Sequence, residues 1–378
     1  MIKFSSFAAA LIVICTGVAA EPQTALRDLG EALFFDENLS LDRGQSCASC
    51  HDPEYGFADP RRSADGAFSL GDDGVSLGDR NAPSAAYAAF VPSFHQTKEG
   101  VWVGGMFWDG RASGLEEQAG GPPLNPIEMG MPDRQSVVQR LQESPAYVDA
   151  FQTLFGPDIF DQTDAAFESM TQAIASFERS EVFAPFDSKY DRFLRGEAEL
   201  SRQEELGRLL FFSQQFTNCN LCHQLKSSPI DPAETFSNYE HHNIGVPENL
   251  AGHSQNGVAL GTVDEGLLNN PLVTGLVQRG KFKTPTLRNV AVTGPYMHNG
   301  VFQELRTVVL FYNRYNSLSE ARQINPETGQ PFGSPDVPNS LSVKELTHGP
   351  ALDDQRIDAL VAFLNTLTDQ RYEHLLKP

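Results

Sequence analysis

Apolar residues recur at helical spacing along most of the chain. Leu29, Leu33 and Phe34 fall on one face of the phrase LGEALFF, and Leu206, Leu210 and Phe211 do the same in LGRLLFF. Each predicts the end of an amphipathic helix. Similar spacing predicts helices over Ser136–Phe155, Asp164–Phe183, Asp187–Arg195 and Leu305–Tyr315. Near the end, Ile357, Leu360, Val361, Leu364 and Leu367 form one stripe over Asp353–Thr368, and Asp353 or Asp354 is placed to cap it. Pro- and Gly-rich loops separate these stretches, and no long alternating segment predicts a large sheet. The predicted fold class is mainly α. Residues 225–280 form a long Gly-, Asn- and Pro-rich insertion, a length that marks a loop as functional or disordered.

Composition narrows the picture. The 378 residues suit two domains of ordinary size. Lys and Arg total 28 against 49 Asp and Glu, a net charge of −21. So acidic a chain repels phosphate backbones, which excludes nucleic acid as a main partner. The first twenty residues read as a secretory leader. Lys3 begins it, Phe7–Val18 is apolar, and Val18-Ala19-Ala20 supplies the small residues for cleavage before Glu21. That run is too short to span a bilayer. No other stretch is long and apolar enough, so the expectation is a periplasmic protein with no membrane span after cleavage.

Cys15 is expected to leave with the leader. The four remaining cysteines stand as Cys47-Ala-Ser-Cys50-His51 and Cys219-Asn-Leu-Cys222-His223. Both are C-x-x-C-H, the attachment pattern of c-type haem. Two thiols add to the haem vinyl groups, and the adjacent imidazole reaches the iron. The motif therefore predicts two covalent haems, with His51 and His223 as iron ligands. Each motif follows one of the two LG-x-x-LFF phrases, which is the mark of an internal duplication. The expected division is 21–190 and 191–378, with the boundary in the charged stretch from Phe186 to Leu200.

The chain resembles the bacterial dihaem cytochrome c peroxidase and MauG superfamily, and within it the MauG-like (MbnH-like) branch. Beyond the haem motifs, the resemblance rests on Arg80-Asn81-Ala82-Pro83, Phe107-Trp108-Asp109-Gly110-Arg111, Asn125-Pro126-Ile127-Glu128-Met129, Lys283-Thr284-Pro285-Thr286-Leu287-Arg288-Asn289 and Gly294-Pro295-Tyr296-Met297-His298-Asn299-Gly300, in family order. It implies two cytochrome c-like domains. It also implies reaction with hydrogen peroxide to form a high-valent haem state, and oxidation of a protein substrate or electron donor. Residues 52–94 hold neither His nor Met, so the His51 haem is expected to keep an open face; His95 reads as a loop residue.

The family pattern assigns Glu128 as the acid–base residue of that open pocket, Gln118 as an orienting group, and Pro122 as a packing residue. Glu116 and Glu117 read as solvated. The pattern puts Trp108 between the haems and Tyr312 on the second iron, with Tyr315 and Met297 as competing ligands. Asn81, Thr293 and Pro295 match calcium ligands. One departure stands out: a relay tryptophan of MauG falls here on Thr217, which shifts the expected likeness towards relatives that oxidise a tryptophan of a small partner protein. The rival expectations are peroxide removal with a cytochrome c or cupredoxin donor, and a non-catalytic electron carrier.

Overall fold

The computed structural model describes residues 22–61, 67–225 and 232–376. The expected leader lies outside them. The fold is mainly helical, and among the described residues the strands form three antiparallel two-stranded ribbons: His95–Gln96 with Trp102–Val103, His241–His242 with Phe282–Lys283, and Ile324–Asn325 with Gln330–Pro331.

Two crossed helix pairs organise everything else. Pro22–Phe34 packs across Thr163–Glu178, and Arg202–Phe211 packs across Asp354–Asn365. Each crossing turns on a glycine from the LG-x-x-LFF phrase. A Cβ on Gly30 would stand 1.8 Å from the Ala173 carbonyl oxygen and 3.0 Å from Phe177 Cβ; one on Gly207 would stand 1.8 Å from the Ala359 oxygen and 2.8 Å from Phe363 Cβ. Only a hydrogen fits at either point. The matched contacts align Ala173 with Ala359 and Phe177 with Phe363. Around the first crossing Phe34 meets Phe177 and Phe183 edge to face, at 5.5 and 5.6 Å between ring centres. Around the second, Phe211 meets Phe363 at 5.2 Å and Tyr190 meets Phe363 at 5.3 Å. One buried core runs from Leu29 to Phe183 and another from Tyr190 to Leu367.

Several helix ends differ from the sequence expectation. The stretch expected over Ser136–Phe155 is two helices, Arg134–Gln142 and Pro145–Phe155. Pro145 has no N–H to continue the first, and the Ser144 hydroxyl caps the second. Thr163–Glu178 stops before Phe183, and a turn there folds Phe183 back onto Phe57, with ring centres 4.0 Å apart. The helix from Leu305 ends at Asn313 and tightens into a 3₁₀ turn over Arg314–Asn316. Lys189–Leu194 is shorter than expected and starts with a Ser188/Asp191 capping box; Asp353 caps Asp354–Asn365 by accepting the Arg356 N–H.

The insertion is a clamp. From its described part, Asp264 takes the Arg80 guanidinium in two bonds of 2.7 and 2.6 Å, Asn270 donates to the Gly110 carbonyl, and Asn256 donates to that of Gly78. Arg80 also holds Asp109 at 2.7 Å. A second tie is Arg288, 2% exposed. It pairs with Asp191 at 2.5 Å, donates twice to the Glu234 carbonyl, and lies 4.8 Å from the Phe186 ring.

In an ordinary helix, glycine to alanine gains up to about 1 kcal/mol. At Gly30 the sign reverses, because the added methyl enters the Ala173 carbonyl. Gly30→Ala is expected to destabilise by about 1–3 kcal/mol, read as a lowered thermal midpoint of the holoprotein. A raised midpoint would contradict the packing described.

Candidate functional site

A cavity lies beside each C-x-x-C-H turn. The first, of about 280 Å3, is lined by Cys47, Cys50, His51, Gln118, Pro122 and Glu128 among others. The second, of about 220 Å3, contains Cys219, Cys222, His223 and Tyr312. The four thiols are unpaired. Burial pushes those of Cys47 and Cys50 up to about 12 and that of Cys219 up to about 11.

The two histidines are held alike. His51 Nδ1 lies 3.2 Å from the Phe57 carbonyl oxygen, and His223 Nδ1 lies 3.2 Å from that of Phe236. Both phenylalanines adopt positive φ, +54° and +57°, which turns their carbonyls towards the rings. With Nδ1 donating, Nε2 keeps its lone pair for a metal. Burial lowers the pKa of both imidazoles, that of His223 to about 4. A neutral, oriented imidazole beside two adjacent thiols, facing a largely apolar cavity, fits a covalent haem in each half.

In the first cavity Gln118 comes from the short helix Leu115–Ala119, and Glu128 from the turn after Pro122–Leu124. Burial raises the Glu128 pKa, while Arg111 and Asn125 oppose the rise. Pro122 is part of the same lining. Glu116 pairs with Arg179 at 2.7 Å, and Glu117 accepts the Ser113 N–H. His95 is exposed and lies outside the lining, its Nδ1 against the Ser93 carbonyl. Among the cavity-lining residues to which the sequence reading gave no role are Glu178 and Lys283. Lys283 opens one of the family phrases, whereas Glu178 stands in no motif and looks like an ordinary polar helix end.

In the second cavity the Tyr312 hydroxyl has no hydrogen-bond partner among the described residues, and burial raises its pKa. Tyr315 is engaged elsewhere, its hydroxyl donating to the Ile244 carbonyl at 3.0 Å. Met297 and Trp108 line both cavities. The Trp108 indole N–H donates to the Asn81 carbonyl at 2.8 Å, and its own carbonyl accepts the Lys283 N–H at 2.8 Å. The Lys283 side chain also lines both cavities and donates to the Gly105 carbonyl; burial lowers its pKa to about 7, against the pull of Asp109. Thr217 is buried, its hydroxyl donating to the Leu210 carbonyl at 2.5 Å.

Asn81 meets Pro295, its amide nitrogen 2.8 Å from the Pro295 carbonyl oxygen, and Thr293 lines the same cavity. The described residues include no cluster of three or more acidic, His or Cys side chains able to hold a metal.

Two haem-shaped sites in one helical chain define a dihaem c-type cytochrome, and relatives narrow the class. The profile of the family "Di-haem cytochrome c peroxidase" matches residues 24–199. The methylamine utilization protein MauG of Paracoccus denitrificans is 50% identical over 372 residues, which span 97% of this chain and 95% of that protein. The chain belongs to the dihaem cytochrome c peroxidase/MauG family, and it is an oxidoreductase carrying two c-type haems. The diheme peroxidase BthA of Burkholderia thailandensis superposes with a TM-score of 0.84 at 32% identity, covering 95% of this chain and 89% of that one. A MauG-like protein associated with microbial copper homeostasis gives 0.65 at 29% identity, covering 92% and 90%.

Denaturing mass spectrometry should show the polypeptide plus two haems, and thiol titration should find Cys47, Cys50, Cys219 and Cys222 all blocked. Two or more free thiols among them would contradict covalent attachment in both halves.

Proposed function

We propose that the protein is exported to the periplasm, reduces hydrogen peroxide at the His51 haem, and uses the oxidising power to withdraw electrons from a partner protein. In this reading residues 21–190 form the peroxide-reacting domain and residues 191–378 the electron-transfer domain. Cys47 and Cys50 bind one haem, and Cys219 and Cys222 the other. When bound, the haems supply the redox chemistry: two-electron reduction of peroxide and one-electron oxidation of the partner.

The observation that carries the reading is the asymmetry of the two cavities. Among the described residues His51 is the only histidine lining the first, which also presents the carboxyl of Glu128 and the amide of Gln118. Tyr312 brings an unbonded phenol into the cavity of His223. Gln118 holds the incoming peroxide by hydrogen bonds. Glu128 takes the proton from one peroxide oxygen and returns it to the other. Tyr312 would hold the second haem iron through its phenol oxygen, a donor that would favour the ferric state over the ferrous. Trp108, in the wall shared by both cavities, couples them. Asn81, Thr293 and Pro295 would hold a calcium ion through neutral oxygens, the Asn81 amide offering its oxygen in place of its nitrogen.

A second reading keeps the same chemistry but ends it on a small electron-donor protein, a cytochrome c or a cupredoxin, as simple peroxide removal. The buried Thr217 favours it, because no aromatic side chain stands at that position to relay an electron to a large substrate. The two readings separate on product. Incubation with peroxide and a candidate partner leaves a covalent mass change on the partner in the first, and only a changed redox state in the second.

Two substitutions test the assigned roles. Glu128→Gln keeps the shape and removes the proton-carrying group, so the reaction with peroxide is expected to slow by roughly 10²–10⁴-fold with haem content intact. An unchanged stopped-flow rate would remove Glu128 from the reaction. Tyr312→Phe is expected to convert one low-spin ferric haem to high-spin in electron paramagnetic resonance. A preserved low-spin signal would pass the ligand role to Met297.

A further inference from the structure

The internal duplication supplies a control for every residue beside a haem. Gly30 packs on Ala173 and Phe177, and Gly207 packs on Ala359 and Phe363. The two closing helices are therefore in register, Ile174 with Leu360 and Glu178 with Leu364. All four of these residues line their cavities: Ile174 and Glu178 the first, Leu360 and Leu364 the second. The same place in the same frame takes hydrocarbon beside one haem and a carboxyl beside the other. The fold itself does not call for a carboxyl there.

Glu178 is 5% exposed, and its Oε2 has no hydrogen-bond partner among the described residues. It ends the helix Thr163–Glu178, where unpaired carbonyls disfavour negative charge. Its ionisable neighbours are few. Arg179 and Glu116 pair with each other at 2.7 Å, and Cys47 becomes a neutral thioether once haem is attached. On the other helices packed against it, Arg27, Asp28, Glu31 and Asp149 are exposed, Glu117 caps Ser113, and Arg134 pairs with Asp164. Burial moves the Glu178 pKa up to about 8, with Arg179 opposing and Glu116 adding. Near neutral pH the group is an uncharged acid with a free O–H beside the cavity that also holds Glu128.

We propose that Glu178 is a proton-holding residue of the first cavity, the reserve acid that completes the reduction of peroxide to water. Reduction of one peroxide to two waters consumes two electrons, taken from the reductant, and two protons. Glu128 moves a proton that peroxide already carries, so the net protons come from elsewhere. Glu178 gives one to a peroxide oxygen as its O–H bond breaks, is left as carboxylate, and regains a proton from solvent before the next turnover; solvent supplies the second proton directly. The second half needs no such group, because its iron does not meet peroxide. The inference rests on the reading that the His51 haem is the peroxide-reacting one.

The test compares the haem-loaded native protein with Glu178→Gln and Glu178→Leu, the latter copying Leu364. Both are expected to keep two haems. Infrared difference spectra between neutral and alkaline pH should show a buried carboxylic acid ionising near pH 8 in the native protein and not in either variant. Peroxide turnover with an artificial reductant should fall by roughly 10²-fold, and its alkaline limb near pH 8 should disappear. A carboxylic acid band that persists in Glu178→Gln, or unchanged turnover, would overturn the proposal. So would loss of the first haem in both variants, which would make the residue structural. The infrared band does not depend on peroxide, so a native protein that shows the band but does not react at the His51 haem would fault the functional reading instead.

Discussion

The close crossing of two helices at a single glycine is the constraint from which the rest follows. Gly30 on Ala173 and Gly207 on Ala359 leave room for a hydrogen only. That contact brings the opening and closing helices of each half together, sets the aromatic rings around them, and fixes one wall of the cavity beside the C-x-x-C-H turn. Because the crossing occurs twice, the chain builds the same socket twice. Phe57 and Phe236 then hold His51 and His223 through the same strained carbonyl geometry.

In the proposed reading, function resides in the differences between the two copies. The first socket receives Gln118, Glu128 and Glu178, one amide and two carboxyls. The second receives Tyr312, Leu360 and Leu364, one oxygen donor among hydrocarbon. Between them stand Trp108 and Lys283, tied to each other through the backbone and to the Asn81 and Gly105 carbonyls. The clamp from Arg80 to Asp264 and the Arg288 guanidinium against the Tyr87 and Phe186 rings hold the halves in one arrangement. Within the second half, Arg288 stays buried because Asp191 and the Glu234 carbonyl take its guanidinium N–H groups.

Much of this was legible in the sequence. The duplicated glycine phrase, the two haem motifs and the mainly helical class are local signals, carried by spacing; the placing of Glu128, Gln118 and Tyr312 in cavities came from the family resemblance. What was not legible depends on contacts between distant residues. The break at Ser144-Pro145 has a local cause and was missed because the apolar periodicity runs through it. The insertion reads as loose loop by composition, yet its Asn and Asp side chains bond the first half. Glu178 resembles any polar helix end until the register with Leu364 is seen. Thr217 is visible as a departure, but its burial under Leu210 is not.

The central claim is that one socket leaves an iron face open and the other closes it. Cyanide titration of the ferric holoprotein, followed by visible absorbance and electron paramagnetic resonance, tests this most directly. The account predicts one cyanide bound per protein, with the signal of the second haem unchanged at saturation. Binding of two cyanides, or of none, would contradict it.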